Sequence, residues 1–212
     1  MQHQPQKISQ FFLKILTVYL FLQEWIDRRF YYHVCKAFGI SHPKNWFDYR
    51  IRNFLEHTSS AETVADLGCG TGKLVAEMRK MGINALGVDW KKPSALSSEH
   101  WIQADLRDNA IWTILAERGV STITLSHVLE HIEDSVGFLK KLRSIKKVIV
   151  CVPSEENWRY QTRKKLGLNP LTDDTHYREY TTGLLRSEAQ EAGFSIETVF
   201  YNSEGEIFAV LT

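Results

Sequence analysis

The chain has 212 residues, 43% of them hydrophobic and 24% charged, with five prolines and a formal net charge of +1. That is enough chain to bury a core unaided, it is too apolar for disorder, and it carries no whole-molecule field to draw in nucleic acid or an anionic membrane, so only local patches could do so. Cys35, Cys69 and Cys151 form an odd, widely spaced set with no Cys-x-x-Cys, which argues against a disulfide framework or a zinc knuckle and for a reducing, cytoplasmic setting.

Residues 8–34 are rich in Leu, Phe and Tyr and read as one long helix or two, ending near Gly39 and Pro43. Within them Phe11–Leu22 is almost wholly apolar. A membrane span needs about 20 such residues; this run is shorter, contains Lys14 and lacks a small-residue cleavage site. A buried or lid-forming helix is expected, with peripheral docking on a membrane surface or a partner as the alternative. A second helix is expected over Trp46–His57, so that residues 1–58 make an N-terminal helical cap.

From residue 59 to 212, short β-type runs alternate with amphipathic helical stretches, the pattern of a parallel sheet covered on both faces. Strands fall at Thr63–Leu67, Ala85–Asp89, His100–Gln103, Thr122–Leu125 and Lys147–Val152, with helices at Lys73–Met81, Asn109–Glu117 and Asp134–Ser144. In the last of these, Val136, Leu139, Leu142 and Ile145 keep one apolar face, and the basic run Lys140–Lys147 reads as its solvated side. A polar, aromatic and basic insertion at about 153–180 interrupts the alternation. Helix resumes at Thr182–Ala192, followed by strands Phe194–Tyr201 and Glu206–Leu211 around a turn at Asn202–Gly205. The expected fold is α/β: a Rossmann-like, seven-stranded, mostly parallel sheet with an antiparallel last strand and helices on both faces.

The segment Val64–Gly72, VADLGCGTG, carries most of the functional information. A strand containing Asp66 runs into Gly68, Gly70 and Gly72 and then a helix, which presents backbone amides and a positive helix end at the carboxyl edge of the sheet, where a polar or charged ligand belongs. The G-x-G-x-G spacing departs from the dinucleotide G-x-G-x-x-G, making NAD the second choice, and Leu74 stands where a P-loop requires Ser or Thr.

These residues resemble the class I S-adenosylmethionine-dependent methyltransferases, the broad group with an LDLGCGTG loop and a later HVLEH segment, over about Asp48–Thr212. The resemblance implies S-adenosyl-L-methionine as cofactor and S-adenosyl-L-homocysteine as product. It implies that Asp66 holds the methionine amino group beside the loop residues Gly68, Cys69, Gly70 and Gly72, and that Asp89 accepts hydrogen bonds from the ribose hydroxyls. Trp90 would cover the adenine face, Asp105 and the amide of Leu106 would read the adenine edge, and Ser126 and His127 would face the sulfonium and the acceptor.

His127-Val128-Leu129-Glu130-His131 is also H-x-x-E-H, the inverted zinc-protease motif. A metal reading requires an unbroken helix to bring both imidazoles to one face, whereas this segment follows directly on a strand, so no metal site is expected. Methyl transfer is an in-line displacement in which alignment matters most and a base is optional. His127, His131 and His176 are the candidate bases; by the resemblance His131 packs under the cofactor and His176, in a stretch similar to the family's HxRxFT element, stands on the acceptor side. No [DNS]-P-P-[YFW] follows the fourth strand, which disfavours amino-methylation of DNA bases.

In the insertion, Trp158, Arg159, Tyr160 and Arg163, with Tyr177 and Arg178 beyond them, are the substrate candidates. Interleaved basic and aromatic groups suit a phosphate-bearing substrate, a nucleotide-sugar or an RNA end, and equally the solvated face of an amphipathic helix. The expected activity is methyl transfer to oxygen or nitrogen of a small-molecule acceptor such as a sugar, lipid or other metabolite, with nucleic acid not favoured. An RNA or protein methyltransferase working through the insertion, and a non-catalytic adenosylmethionine-binding partner protein, are the alternatives.

Overall fold

A computed structural model describes residues 9–38, 49–171, 173–202 and 205–212. The chain divides into two compact units, one of residues 1–48 with 158–170 and the other of residues 49–157 with 171–212.

The larger unit carries the sheet: β1 (Thr63–Leu67), β2 (Asn84–Asp89), β3 (Trp101–Gln103), β4 (Thr122–Ser126), β5 (Lys147–Pro153), β6 (Ile196–Tyr201) and β7 (Glu206–Leu211). Their order is β3-β2-β1-β4-β5-β7-β6, parallel from β3 to β5, with β7 antiparallel to both β5 and β6. The chain fills one side of β1 with β2 and β3 and then returns to its other side with β4 and β5. The direction of winding therefore reverses between β1 and β4, and at such a point the loops leaving the strand ends part to form a crevice.

Alternation along the central strands assigns residues to two cores. On β5, Val148, Val150 and Val152 join one cluster while Ile149 and Cys151 join the other; on β7, Ile207, Ala209 and Leu211 alternate in the same way with Phe208 and Val210. The near-continuous apolar runs of a sheet buried on both faces follow from this. Helices α4 (Ala110–Glu117), α5 (Ser135–Lys141) and α7 (Thr182–Glu191) cover the first face through Ile111, Leu115, Phe138, Leu139, Leu185 and Ala189. The second face is covered by α2 (Tyr49–Glu56) and α3 (Lys73–Lys80), with Phe54 meeting Phe208 edge to face at 5.3 Å between ring centroids.

Several boundaries differ from expectation. His100 belongs to a 3-10 turn, Ser98–His100, so β3 begins at Trp101. Helix α5 stops at Lys141 because the amide of Leu142 closes on the carbonyl of Leu139, although Leu142 itself stays in the core. Phe194 closes α7 through a bond from its amide to the Ala189 carbonyl, and strand pairing starts only when Ser195 exchanges both backbone bonds with Thr212.

In the smaller unit, α1 (Gln10–Phe38) is one continuous helix and α6 (Trp158–Lys165) is the helical part of the insertion. The expected break near Gly39 and Pro43 and the expected helix start at Trp46 lie outside the described residues, as do two residues of the Asn202–Gly205 turn. The expectation that Phe11–Leu22 is buried holds for Leu20, whereas Phe11, Val18 and Tyr19 are 74%, 58% and 69% exposed. No described helix is long and apolar enough to cross a membrane.

Candidate functional site

The loop leaving β1 is fixed by its own backbone. The amides of Gly68 and Cys69 both donate to the Val88 carbonyl at 2.8 and 3.1 Å, and Gly72 donates to Cys69 at 2.8 Å, so the chain turns back over the end of β2 before α3 begins. Gly68 and Gly72 need to be glycine on two counts. Both have φ near +70 to +79°, and a Cβ would stand 2.8 Å from Val128 Cγ2 at Gly68 and 2.5 Å from Leu96 Cγ at Gly72. Gly70, at φ +53°, would point a Cβ into open space. The Cys69 side chain is turned onto β2, so close to Gly87 that a Cβ there would meet Sγ at 2.6 Å, and burial pushes its thiol up to about 12.

Asp66 lies beneath this loop, buried, with Thr124 Oγ1 of β4 donating to its Oδ1 at 2.7 Å. Burial outweighs that bond, and with the neighbouring Asp89 charge it raises the carboxyl to about 7. Asp89, the last residue of β2, accepts from the Gly70 amide at 2.8 Å through Oδ2 and from the Lys91 amide at 2.9 Å through Oδ1. Each oxygen keeps a second lone pair for a ligand hydroxyl. Trp90 beside it is 64% exposed, with the Lys91 ammonium 4.1 Å from its ring centroid. Past β3, Asp105 is held by Arg107 through its guanidinium and its amide, bonds that bring the carboxyl down to about 2.

The end of β4 brings together more than the sequence reading foresaw. His127 takes a left-handed backbone, φ 56°, uncommon for a non-glycine residue. Its Nε2 lies 2.7 Å from Glu206 Oε1 on β7 and its Nδ1 3.3 Å from Glu130 Oε1. Burial alone would raise Glu206, but the hydrogen bond and charge of His127, with Arg50 and Asn202, hold it at about 2. Glu130 has the opposite balance: it is fully buried, and desolvation raises its carboxyl despite His127 and His131 nearby. His131 Nδ1 lies 3.0 Å from Thr175 Oγ1, and the ring of His176 stands nearly perpendicular to that of His131 at 4.6 Å between centroids.

A cavity of about 900 Å³ opens along the carboxyl ends of these strands. Of the residues read from the sequence, Gly68, Asp89, Trp90, Asp105, Leu106, His127, His131 and Tyr177 line it, whereas Asp66, Cys69, Gly70, Gly72 and Ser126, at the strand ends and in the β1–α3 loop, are not among its lining residues. His176 does not line it, its buried side chain lying behind His131 with a pKa lowered by desolvation and by His131. Arg178 is occupied as a structural tie, bonding Ser135 Oγ, the Glu133 carbonyl and Glu188. Trp158, Arg159, Tyr160 and Arg163 belong to the smaller unit, where Arg159 lies over the Trp158 ring and Arg163 Nε donates to the Asn169 carbonyl at 2.7 Å.

The model of the methyltransferase domain family matches residues 40–199. The chain belongs to this family. No curated protein matches the methyltransferase sequence. Among solved structures, a SAM-dependent methyltransferase from Archaeoglobus fulgidus aligns with a TM-score of 0.60 at 15% identity, covering 85% of this chain and 98% of that one. The small RNA methyltransferase HEN1 aligns with a TM-score of 0.59 at 20% identity over 77% of this chain, which spans only a quarter of that protein's length. The magnesium protoporphyrin IX methyltransferase ChlM from Synechocystis PCC 6803, solved with bound SAH, aligns with a TM-score of 0.53 at 17% identity, covering 77% and 80% of the two chains. At these identities the likeness is one of fold.

Three residues of the site were given no role of their own by the sequence. Glu130 was visible within HVLEH but carried no signal that both its oxygens would be buried. Arg107 follows Asp105 too closely to be told from an ordinary turn. Glu206 reaches His127 only because β7 runs antiparallel beside β5, a pairing with no local trace.

Proposed function

We propose that the protein is an S-adenosylmethionine-dependent methyltransferase acting on oxygen or nitrogen of a small-molecule acceptor. The observation that carries this reading is the Asp89 carboxylate, fixed by the Gly70 and Lys91 amides in the wall of a cavity that also takes in Gly68 and Asp105. The residues fit the methyl donor: Asp89 would take the ribose hydroxyls, Asp105 and Leu106 the adenine, and buried Asp66, raised to about 7, gains by facing an ammonium. When bound, the donor supplies an electrophilic methyl group on a sulfonium.

The chain's own part is to orient and to exclude water. The carboxyl ends of β1 to β4 supply polar groups on the donor side, while Ile132, Phe138 and Tyr177 add apolar surface to the same cavity. Sites for small molecules are clefts of roughly 300–1,000 Å³ with a few placed polar groups in an apolar lining, and this cavity lies near the top of that range, which suits a donor and a small acceptor together. Both ring nitrogens of His127 face carboxylates, Glu206 and Glu130, so its contacts are made within the protein.

Titration calorimetry with adenosylmethionine and adenosylhomocysteine tests the donor. Asp89→Ala is expected to weaken both by at least about tenfold, since it removes a charge-assisted acceptor; unchanged affinity would sink the assignment of the ribose site. Incubation with labelled methyl donor and fractionated extract then reads the acceptor class. Label entering RNA or protein in place of small molecules would overturn the acceptor reading, and tight adenosylhomocysteine binding with no labelled product in any fraction would favour a binding-only protein.

A further inference from the structure

We propose that Glu130, His131 and His176 form a binding site for a divalent first-row transition ion beside the cavity, with His127 within reach as a further ligand. One ligand atom from each of the three lies within 4.8 Å of the others. Glu130 is fully buried, and among the described residues neither of its oxygens has a hydrogen-bond partner; His127 Nδ1 approaches to 3.3 Å without hydrogen-bond geometry. A buried carboxylate left in that state demands a cation or a proton.

The surrounding network turns lone pairs toward it. Thr175 Oγ1 donates to Asp173 Oδ1 at 2.6 Å and so accepts from His131 Nδ1–H at 3.0 Å, leaving the lone pair of His131 on Nε2. Glu206 accepts from His127 Nε2–H at 2.7 Å, so in the neutral ring that ligation requires the lone pair of His127 lies on Nδ1, the atom nearest Glu130. A carboxylate or backbone carbonyl behind the far nitrogen is how proteins fix imidazole ligands, and the Thr175 carbonyl oxygen also lies 3.2 Å from His131 Nδ1. His176 Nδ1 is buried without a hydrogen-bond partner, the Glu179 carboxylate standing 3.7 Å from it. The adjacent trio His127, Cys151 and Glu206 differs, because Glu206 is already met by His127, Asn202, Cys151 and Arg50.

The H-x-x-E-H segment was expected to need a helix to bind metal. Here the left-handed turn at His127 and the 3-10 turn Leu129–His131 do the converging, and His176 arrives from a distant segment. An imidazole-rich set with one carboxylate selects zinc or iron over magnesium. Ligands at about 2.1 Å from a tetrahedral ion lie roughly 3.4 Å apart, so binding asks for ångström-scale closure of the side chains. Because His127 and His131 line the cavity, an open coordination position there would take an acceptor oxygen and promote its deprotonation. That consequence rests on the proposed function, while the ion site itself does not.

The test is equilibrium dialysis of the untagged full chain against Zn(II) and, separately, Mg(II), with bound metal measured by mass spectrometry. The expected result is about one Zn(II) per chain and little Mg(II), with affinity at least about tenfold weaker in Glu130→Gln and in His176→Gln. Co(II) loaded into the unaltered protein is expected to show imidazole ligation in its visible and spin-resonance spectra, a readout that needs no variant to fold. Absence of zinc above a blank, zinc affinity in both variants unchanged from that of the unaltered protein, or Co(II) spectra of the hydrated ion would each overturn the site. Adenosylmethionine affinity, measured with and without chelator on the same samples, reports separately on the proposed function.

Discussion

Asp66 ties the stability of the methyltransferase to pH in an unusual direction for a carboxylate. Its folded pKa, about 7, is above the 3.8 of an unburied aspartate, because burial raises it more than the Thr124 bond lowers it. Between those values the folded chain holds a proton that the unfolded chain has lost, so the contribution is full below pH 4 and is lost as pH rises toward 7. The slope is at most about 1.4 kcal/mol per pH unit. Denaturant melts across this window should show stability falling with pH at this site, and Asp66→Asn should flatten the profile; an unchanged slope in the variant would mean that burial does not control this group. The place of Asp66 at the end of a strand before the glycine loop was legible from VADLGCGTG, but its protonation was not, since desolvation depends on what β4 and the loop place around it.

At the scale of elements, the β1–α3 loop separates fold from function within three residues. Gly72→Ala would press a Cβ to 2.5 Å from Leu96 Cγ and 3.1 Å from Pro93 Cβ at φ +79°, and should cost about 2–4 kcal/mol through overpacking and backbone strain together. Gly70→Ala meets nothing within 4 Å and carries only the left-handed penalty, about 1 kcal/mol, but it fills space beside Asp89 that the donor would use. Chemical denaturation and ligand titration on both variants should therefore give opposite rankings, with Gly72→Ala worse in stability and Gly70→Ala disproportionately worse in adenosylhomocysteine affinity. Equal stability losses would show that the open space at Gly70 is filled in solution. This loop was legible because strand, turn and helix are contiguous in sequence, and β1 keeps its expected bounds, Thr63–Leu67. The far wall was not: Glu206 and His127 are brought together by the β5–β7 pairing, and Tyr177 by the bond from its amide to the Glu130 carbonyl, long-range contacts that no local period encodes.

For the whole molecule, the question is whether charge steers the acceptor. With a net charge of +1 the chain has no general pull on polyanions, and the cavity leans the other way: Asp89, Asp105, Glu133 and Asp134 line it against Arg107 and Lys141, and Arg107 is already paired with Asp105. Even a bound dication would do little more than cancel that excess. The basic helix α6 is the contrary feature, but Arg159 and Lys164 lie over the rings of Trp158 and Tyr160, and Arg163 is tied to Asn169. A polyanionic acceptor making 6–10 phosphate contacts would lose roughly 10³–10⁵ in affinity between 50 and 200 mM salt. A small neutral or cationic acceptor in this cavity releases few condensed counterions, so its kcat/KM should change by no more than about threefold over the same range. Measured with whatever acceptor the extract fractionation yields, a steep fall with salt would shift the acceptor from the cavity to the basic helix and make the enzyme a nucleic-acid methyltransferase, whereas a flat profile keeps recognition inside the strand-end cavity, beside the Asp89 carboxylate that the Gly70 and Lys91 amides hold in place.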